Sequence, residues 1–164
     1  NTKVYHNNFI KNTQQVLLSE SFNTKWDDGY PSGGNYWSDY ADADLYTGPN
    51  QDMAGSDGIW DQPYIIDSDS DRYPLTEPWS APAMMKTLIR IVRLQGLPKG
   101  TESSLTSKLY EAIHLLNIDN ENGATHKLME FIDQVKALRN KKITNEQADY
   151  LISEARRIIE LIKE

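Results

Sequence analysis

The sequence predicts an α+β protein of two domains: a β-rich N-terminal half with aspartate-rich loops over residues 1–80, then a small four-helix bundle over residues 81–164. Three observations predict it. The charge is uneven: residues 20–80 hold 13 acidic and 2 basic side chains, and the rest of the chain holds 11 and 15. All four tryptophans (Trp26, Trp37, Trp60, Trp79) and six of the nine glycines fall in that acidic stretch. From Ala83 onward tryptophan vanishes, and apolar residues recur at helical spacing among Lys and Glu. The seam lies in "TEPWSAPAMM", where proline and serine punctuate the change.

Composition bounds the function. A chain of 164 residues holds one domain or two small ones. A net charge of −7 argues against nucleic acid as a partner, because phosphate neutralisation needs a basic face. No apolar run approaches the roughly 18 residues of a membrane span. Without cysteine there is no disulfide, zinc–thiolate site or thiol nucleophile, and the compartment stays open. The opening "NTKVYHNNF" has neither an initiator Met nor a signal peptide, which suits a piece of something longer or a processed chain.

The first element, "NTKVYHNNFIKNTQQVLL", has short β-prone runs separated by asparagine pairs such as Asn7-Asn8. About twenty residues is the length of one coil of a parallel β-helix, in which asparagines occupy left-handed turns and stack on their neighbours. An ordinary hairpin is the alternative. One coil cannot bury its own face, so partner coils are expected upstream of Asn1.

The acidic element contains "DGIWDQPYIIDSDSDRYPL", with five aspartates within fifteen residues against a single arginine. A disordered tail does not suit it, since four tryptophans and six tyrosines supply too much apolar surface. A catalytic carboxylate pair at glycosidase separation needs a cleft, and a cap of this size offers little wall. A cation cage needs several oxygens on a flexible loop, and oxygen-only ligands on loop aspartates favour Ca²⁺. Asp57 and Asp61 stand at positions five and nine of a DxDxDGxxD loop, with the Ile59 carbonyl at position seven. Positions one and three fall on Met53 and Gly55, so Asp52, one residue off, needs a bulge to serve. Asp67, Asp69 and Asp71 alternate along one face of an extended strand, or wrap one ion in a loop. Asp42 and Asp44 are available to either site. For each aspartate the alternative is a turn in which its carboxylate accepts the amide two residues on. The flat rings of Trp26 and Trp60 are candidates for carbohydrate stacking.

Four helices complete the chain. "MMKTLIRIVRLQG" ends at Gly96, with Pro98 beyond. "SLTSKLYEAIHLLN" aligns Leu105, Leu109, Ala112, Ile113 and Leu116, and "THKLMEFIDQVKALRNKK" aligns Leu128, Phe131, Ile132, Val135 and Leu138 before closing on cations. In "TNEQADYLISEARRIIELIKE", Thr144 and Gln147 stand at capping-box spacing, so that helix should begin at Asn145. His114 and His126 are isolated and read as surface or cap residues, since metal sites need clustered ligands.

"LQGLPKGTESSLTSKLYEAI" and "LMEFIDQVKALRNKKITNEQADYLISEARRII" resemble the FIMAH helical module, an accessory of extracellular bacterial and archaeal proteins. In the first half, Gly34 to Tyr40 (GNYWSDY), Asp57-Gly58-Ile59, Asp61, Pro63-Tyr64 and Tyr73-Pro74-Leu75 resemble the terminal segment of NosD-like parallel β-helix surface proteins, most abundant in archaea. That resemblance implies structural roles for Trp37 and Trp79. The family's name suggests copper, but this half offers only His6 and Met53 as soft ligands. The expected function is a non-catalytic, calcium-binding structural or adhesion segment of an extracellular or cell-surface protein. Its expected partners are calcium, upstream coils of the same chain and polysaccharide. The alternative is the C-terminal accessory part of a carbohydrate-active enzyme, with the catalytic residues upstream.

Overall fold

The computed structural model describes residues 2–18 and 24–163; Asn1, residues 19–23 and Glu164 lie outside the described residues, and the Glu20 end of the acidic segment lies there with them. The chain divides into two compact units, Asn1–Trp79 and Ser80–Glu164.

In the first unit glycine and proline interrupt the chain so often that no described strand exceeds three residues. Strand β1 (Asn8–Phe9) runs parallel to β2 (Tyr36–Trp37), with Asn8 opposite Tyr36 and Phe9 opposite Trp37. A second parallel bridge joins Lys3 to Lys25, and a third joins Tyr36 to Leu75. Three short rungs therefore lie side by side in parallel: residues 3–9, residues 25–37 and residues 73–75. The N-terminal segment is not a hairpin, because its partner lies 28 residues further on. Parallel rungs are what the described residues show; a complete β-helix is not. The asparagine pair also behaves differently from expectation. The left-handed positions are His6 (φ 60) and Lys11 (φ 52), and Asn7 and Asn8 remain outside that region. His6 turns the chain within the first rung; the Asn7 side chain then donates to Asn35 of the second rung, and the Asn8 side chain exchanges two hydrogen bonds with the Trp79 backbone.

Two antiparallel hairpins fill the rest of the unit: β3 (Tyr46–Thr47) with β4 (Met53–Ala54), and β5 (Tyr64–Ile66) with β6 (Asp69–Asp71). Residues 58–60 add a covering segment, with Ile59 antiparallel to Leu75. The core is aromatic. Phe9 stacks on Trp37 at 4.1 Å between ring centres, and Trp37 stacks on Tyr64 at 4.2 Å, so one column of rings crosses three segments. Trp26, Trp37 and Ile66 form one buried cluster, and Ile59, Tyr73 and Leu75 form another.

The second unit is four helices, α1 (Ala81–Leu94), α2 (Lys99–Leu116), α3 (Glu121–Leu138) and α4 (Asn145–Ile162). Helix α1 starts from Ser80, whose hydroxyl accepts the Ala83 amide, and gives way to left-handed Gly96. Helix α4 begins at Asn145, with both halves of the Thr144–Gln147 capping box formed. Helices α2 and α3 start earlier than their apolar spacing implies. Pro98 precedes the first turn of α2, and Asn120 caps α3 by accepting the Gly123 amide at 2.9 Å. A Cβ on Gly123 would lie 2.7 Å from the Asn120 side chain, so a larger residue there would displace that cap. Helix α1 packs on α2 and α4, α2 on α3, and α3 on α4, which closes the bundle. Leu105, Leu109, Leu128, Phe131, Val135, Leu151 and Ile158 are fully buried in it. Truncating a side chain such as Phe131 at such a site costs about 3–5 kcal/mol.

Candidate functional site in the aspartate-rich unit

Asp71, at the end of β6, lies wholly inside the unit. Its Oδ2 accepts hydrogen bonds from the Asn35 amide at 2.7 Å and the Trp37 indole Nε1 at 2.9 Å; its Oδ1 accepts the Tyr73 amide at 3.1 Å. The approach is close enough to exclude a side chain at residue 34, where a Cβ on Gly34 would stand 1.8 Å from Asp71 Oδ1. Asn35 extends the contact to the other rungs. Its Nδ2 donates to the carbonyls of Val4 and Trp26, and its Oδ1 accepts from both the amide and the Nδ2 of Asn7 at 3.1 Å. Asn7, Asn35 and Asp71 thus form one polar column beside the aromatic one. Burial pushes the Asp71 carboxyl up to about 6, while the N–H groups of Asn35, Trp37 and Tyr73 pull the other way.

Asp27 is also buried, and burial alone would raise its pKa. The guanidinium of Arg72 overcomes this and holds it below the ordinary value. Arg72 donates from Nε at 2.9 Å and from its terminal nitrogen at 2.7 Å, a two-pronged contact between the second rung and the chain leaving β6.

The remaining aspartates hold loop to loop. Asp44 accepts the amides of Asp57 and Gly58 at 2.9 and 3.0 Å, and Asp61 reciprocates by accepting the amides of Leu45 and Tyr46, each at 3.1 Å. Asp57 is buried; its Oδ1 accepts the Ile59 amide two residues on, and its Oδ2 accepts the Gln51 side chain. Asp27 and Asp71 make the same local turn, to Gly29 and Tyr73. Ile59 is a buried core residue. Asp52 stands exposed, Asp67 occupies the left-handed turn of the β5–β6 hairpin, and Asp69 meets the Trp26 indole at 3.4 Å. Asp67, Asp69 and Asp71 therefore have three different surroundings.

A carboxylate oxygen that already accepts several N–H groups has little left to offer a cation. Among the described residues, no three His, Asp or Glu side chains come together to hold a metal ion. Of the two tryptophans considered for carbohydrate, Trp26 is 5 % exposed and packs on Trp37, so it offers no free face. Trp60 is half-buried and belongs to neither apolar cluster, with its amide on the Pro74 carbonyl. In the second unit His126 lies 3.2 Å from Glu130 on the surface. No helix among the described residues is long and apolar enough to cross a membrane.

Charge counting missed Asn35 and the Asp27–Arg72 pair. A usable signal exists: Asn7-Asn8-Phe9 and Asn35-Tyr36-Trp37 repeat Asn-x-aromatic, and the structure places the two in register.

Residues 81–160 match the family model of the FIMAH domain, so the helical unit is similar to that module over almost its whole length. Comparison with curated proteins and with solved structures finds no match.

The Asp71 carboxyl generates a pH prediction. Its pKa is raised in the fold, so the native state binds its proton more tightly than the unfolded chain does. Its contribution to stability is fully present below pH 3.8 and is lost as pH rises through about 6. The loss is on the order of 3 kcal/mol. All four tryptophans lie in the first unit, so their fluorescence reports its unfolding alone. Asp71→Asn should remove the Asp71 part of the pH slope in denaturation followed by that fluorescence; an unchanged slope in the variant would assign it to other groups.

Proposed function

We propose that this chain is a non-catalytic structural segment of a longer extracellular or cell-surface protein. In this reading the first unit ends a stack of parallel rungs, and the second is a helical accessory module. The observation that carries it is the shared register of three rungs, Lys3 with Lys25, Asn8 with Tyr36, and Tyr36 with Leu75, on one polar and one aromatic column. Asp27, Asp44, Asp57, Asp61 and Asp71 act as acceptors for backbone amides, a role in holding shape. The FIMAH match of residues 81–160 and the resemblance of residues 34–75 to NosD-like surface proteins support the extracellular setting.

A carbohydrate-active context is the second reading, and Trp60 is the observation that favours it. It is half-buried and belongs to neither apolar cluster. Calcium stands apart from both, because most of the aspartates named for it are engaged internally. Asp42, Asp52 and Asp67 stand exposed and remain for a cation, whereas Asp69 already accepts the Trp26 indole.

Hydrogen exchange tests the structural reading. The amides that cross between rungs, on Val4, His6, Lys25, Tyr36, Ser38 and Leu75, should open together with the global unfolding of the unit. Independent opening of each rung at low free energy would refute a continuous stack. For the second reading, gel retardation by acidic and neutral polysaccharides should weaken in Trp60→Ala; equal retardation of both proteins would exclude that ring as a contact. For calcium, calorimetric titration of chelator-treated protein should reveal a weak site in the range of roughly 10⁻⁴–10⁻³ M. Absence of heat, with an unchanged melting temperature up to about 10 mM CaCl₂, removes calcium and leaves the aspartates as hydrogen-bond acceptors.

A further inference from the structure

The parallel stack ends differently on its two sides. Beyond the third rung, residues 58–60 run antiparallel to it: the Trp60 amide meets the Pro74 carbonyl, the Thr76 amide meets Gly58, and Ile59 pairs with Leu75. That edge is closed. Beyond the first rung the situation is reversed. The Val4 and His6 amides and the Thr2 and Asn7 carbonyls point at the second rung, so the alternate residues Lys3 and Tyr5 turn their peptide groups outward. Among the described residues, no partner meets the amides of Lys3 and Tyr5. An unpaired edge of this kind is a template for another strand.

The side-chain columns reach the same edge unfinished. Asn35 uses its Oδ1 to accept the Nδ2 of Asn7, yet among the described residues nothing donates to the Oδ1 of Asn7. Trp37 carries a ring on each face, Phe9 and Tyr64, whereas Phe9 has only Trp37 among the described residues. Each column therefore repeats one geometric step from the second rung to the first and is open for the next.

We propose that the outer edge of residues 3–9 docks one extended polypeptide strand, laid parallel, with asparagine at the level of Asn7 and an aromatic residue two positions on. The inference rests on the structural reading above and adds the chemistry of the partner. The incoming asparagine donates its Nδ2 to Asn7 Oδ1, as Asn7 donates to Asn35. The incoming ring stacks on Phe9, as Phe9 stacks on Trp37. The backbone supplies acceptors for the Lys3 and Tyr5 amides.

The test adds such a strand to the full chain by placing a copy of residues 2–23 ahead of Thr2. Exchange of the native Lys3 and Tyr5 amides should slow by about tenfold or more, and the tryptophan-detected melting temperature should rise. A second version carries Asn7→Ala and Phe9→Ala in the added copy only, and it should give neither effect. Equal slowing by both versions would mean that the edge takes any strand, which overturns the side-chain specificity and leaves the structural reading standing. Slowing by neither would overturn the docking edge, while cross-rung exchange in the parent chain judges the stack separately. Protection of the unextended chain that grows with concentration would assign the edge to a second copy and overturn the proposal.

Discussion

The first unit depends on one polar contact, the meeting of Asp71 and Asn35. Asp71 holds the amide and indole of the second rung and the amide of Tyr73 in the third, while Asn35 holds the carbonyl of Val4 and the side chain of Asn7 in the first. A buried carboxylate is costly unless its oxygens are satisfied, and here both accept N–H groups. The segments it joins are too short to hold one another by ladder hydrogen bonds alone. Few aliphatic side chains are present to take over, since the buried clusters consist of Trp26, Trp37, Tyr73, Ile59, Ile66 and Leu75. Polar satisfaction at this node sets the register that lets Phe9, Trp37 and Tyr64 stack.

The same logic explains how so much negative charge is tolerated. Only Lys25 and Arg72 lie among the acidic residues of the segment, and Arg72 is committed to Asp27. Asp44, Asp57, Asp61 and Asp71 rely on backbone amides. Asp44 and Asp61 each bind two successive amides of the opposite loop, a small concave donor array suited to an anion. Part of the repulsion among these aspartates is relieved by the chain's own peptide groups.

Legibility in the sequence differed between the units for a physical reason. Helices advertise themselves through local periodicity, so the stripes of α3 and α4 were readable, and the Thr144–Gln147 box located the start of α4 at Asn145. The starts of α2 and α3 were not, because Lys99–Ser104 and Glu121–Ala124 hold few apolar residues to carry a period. In the first unit the partners are far apart in sequence: Asn7 finds Asn35, and Asn35 finds Asp71. Residue type revealed that aspartates cluster between Asp57 and Asp71, but not whether their oxygens face amides or solvent. The turn geometry of Asp27, Asp57 and Asp71 was legible only as an alternative, since it turns on where the next two amides point. Trp26 and Trp60 look alike in sequence; one packs on Trp37 and the other stands outside both cores.

The contact between Gly34 and Asp71 has a consequence for how this chain can diverge. A Cβ at residue 34 would sit inside the carboxylate of residue 71, so the two positions occupy a single steric slot although they lie 37 positions apart. Alanine at residue 34 is compatible only with a shorter side chain at residue 71, and that shorter side chain forfeits the acceptors for Asn35, Trp37 and Tyr73. Residue 34 cannot gain a side chain alone, whereas residue 71 is sterically free to shorten. Among descendants of this sequence a side chain at residue 34 should therefore appear only where residue 71 has already shortened, with the acceptors of the rung register already gone.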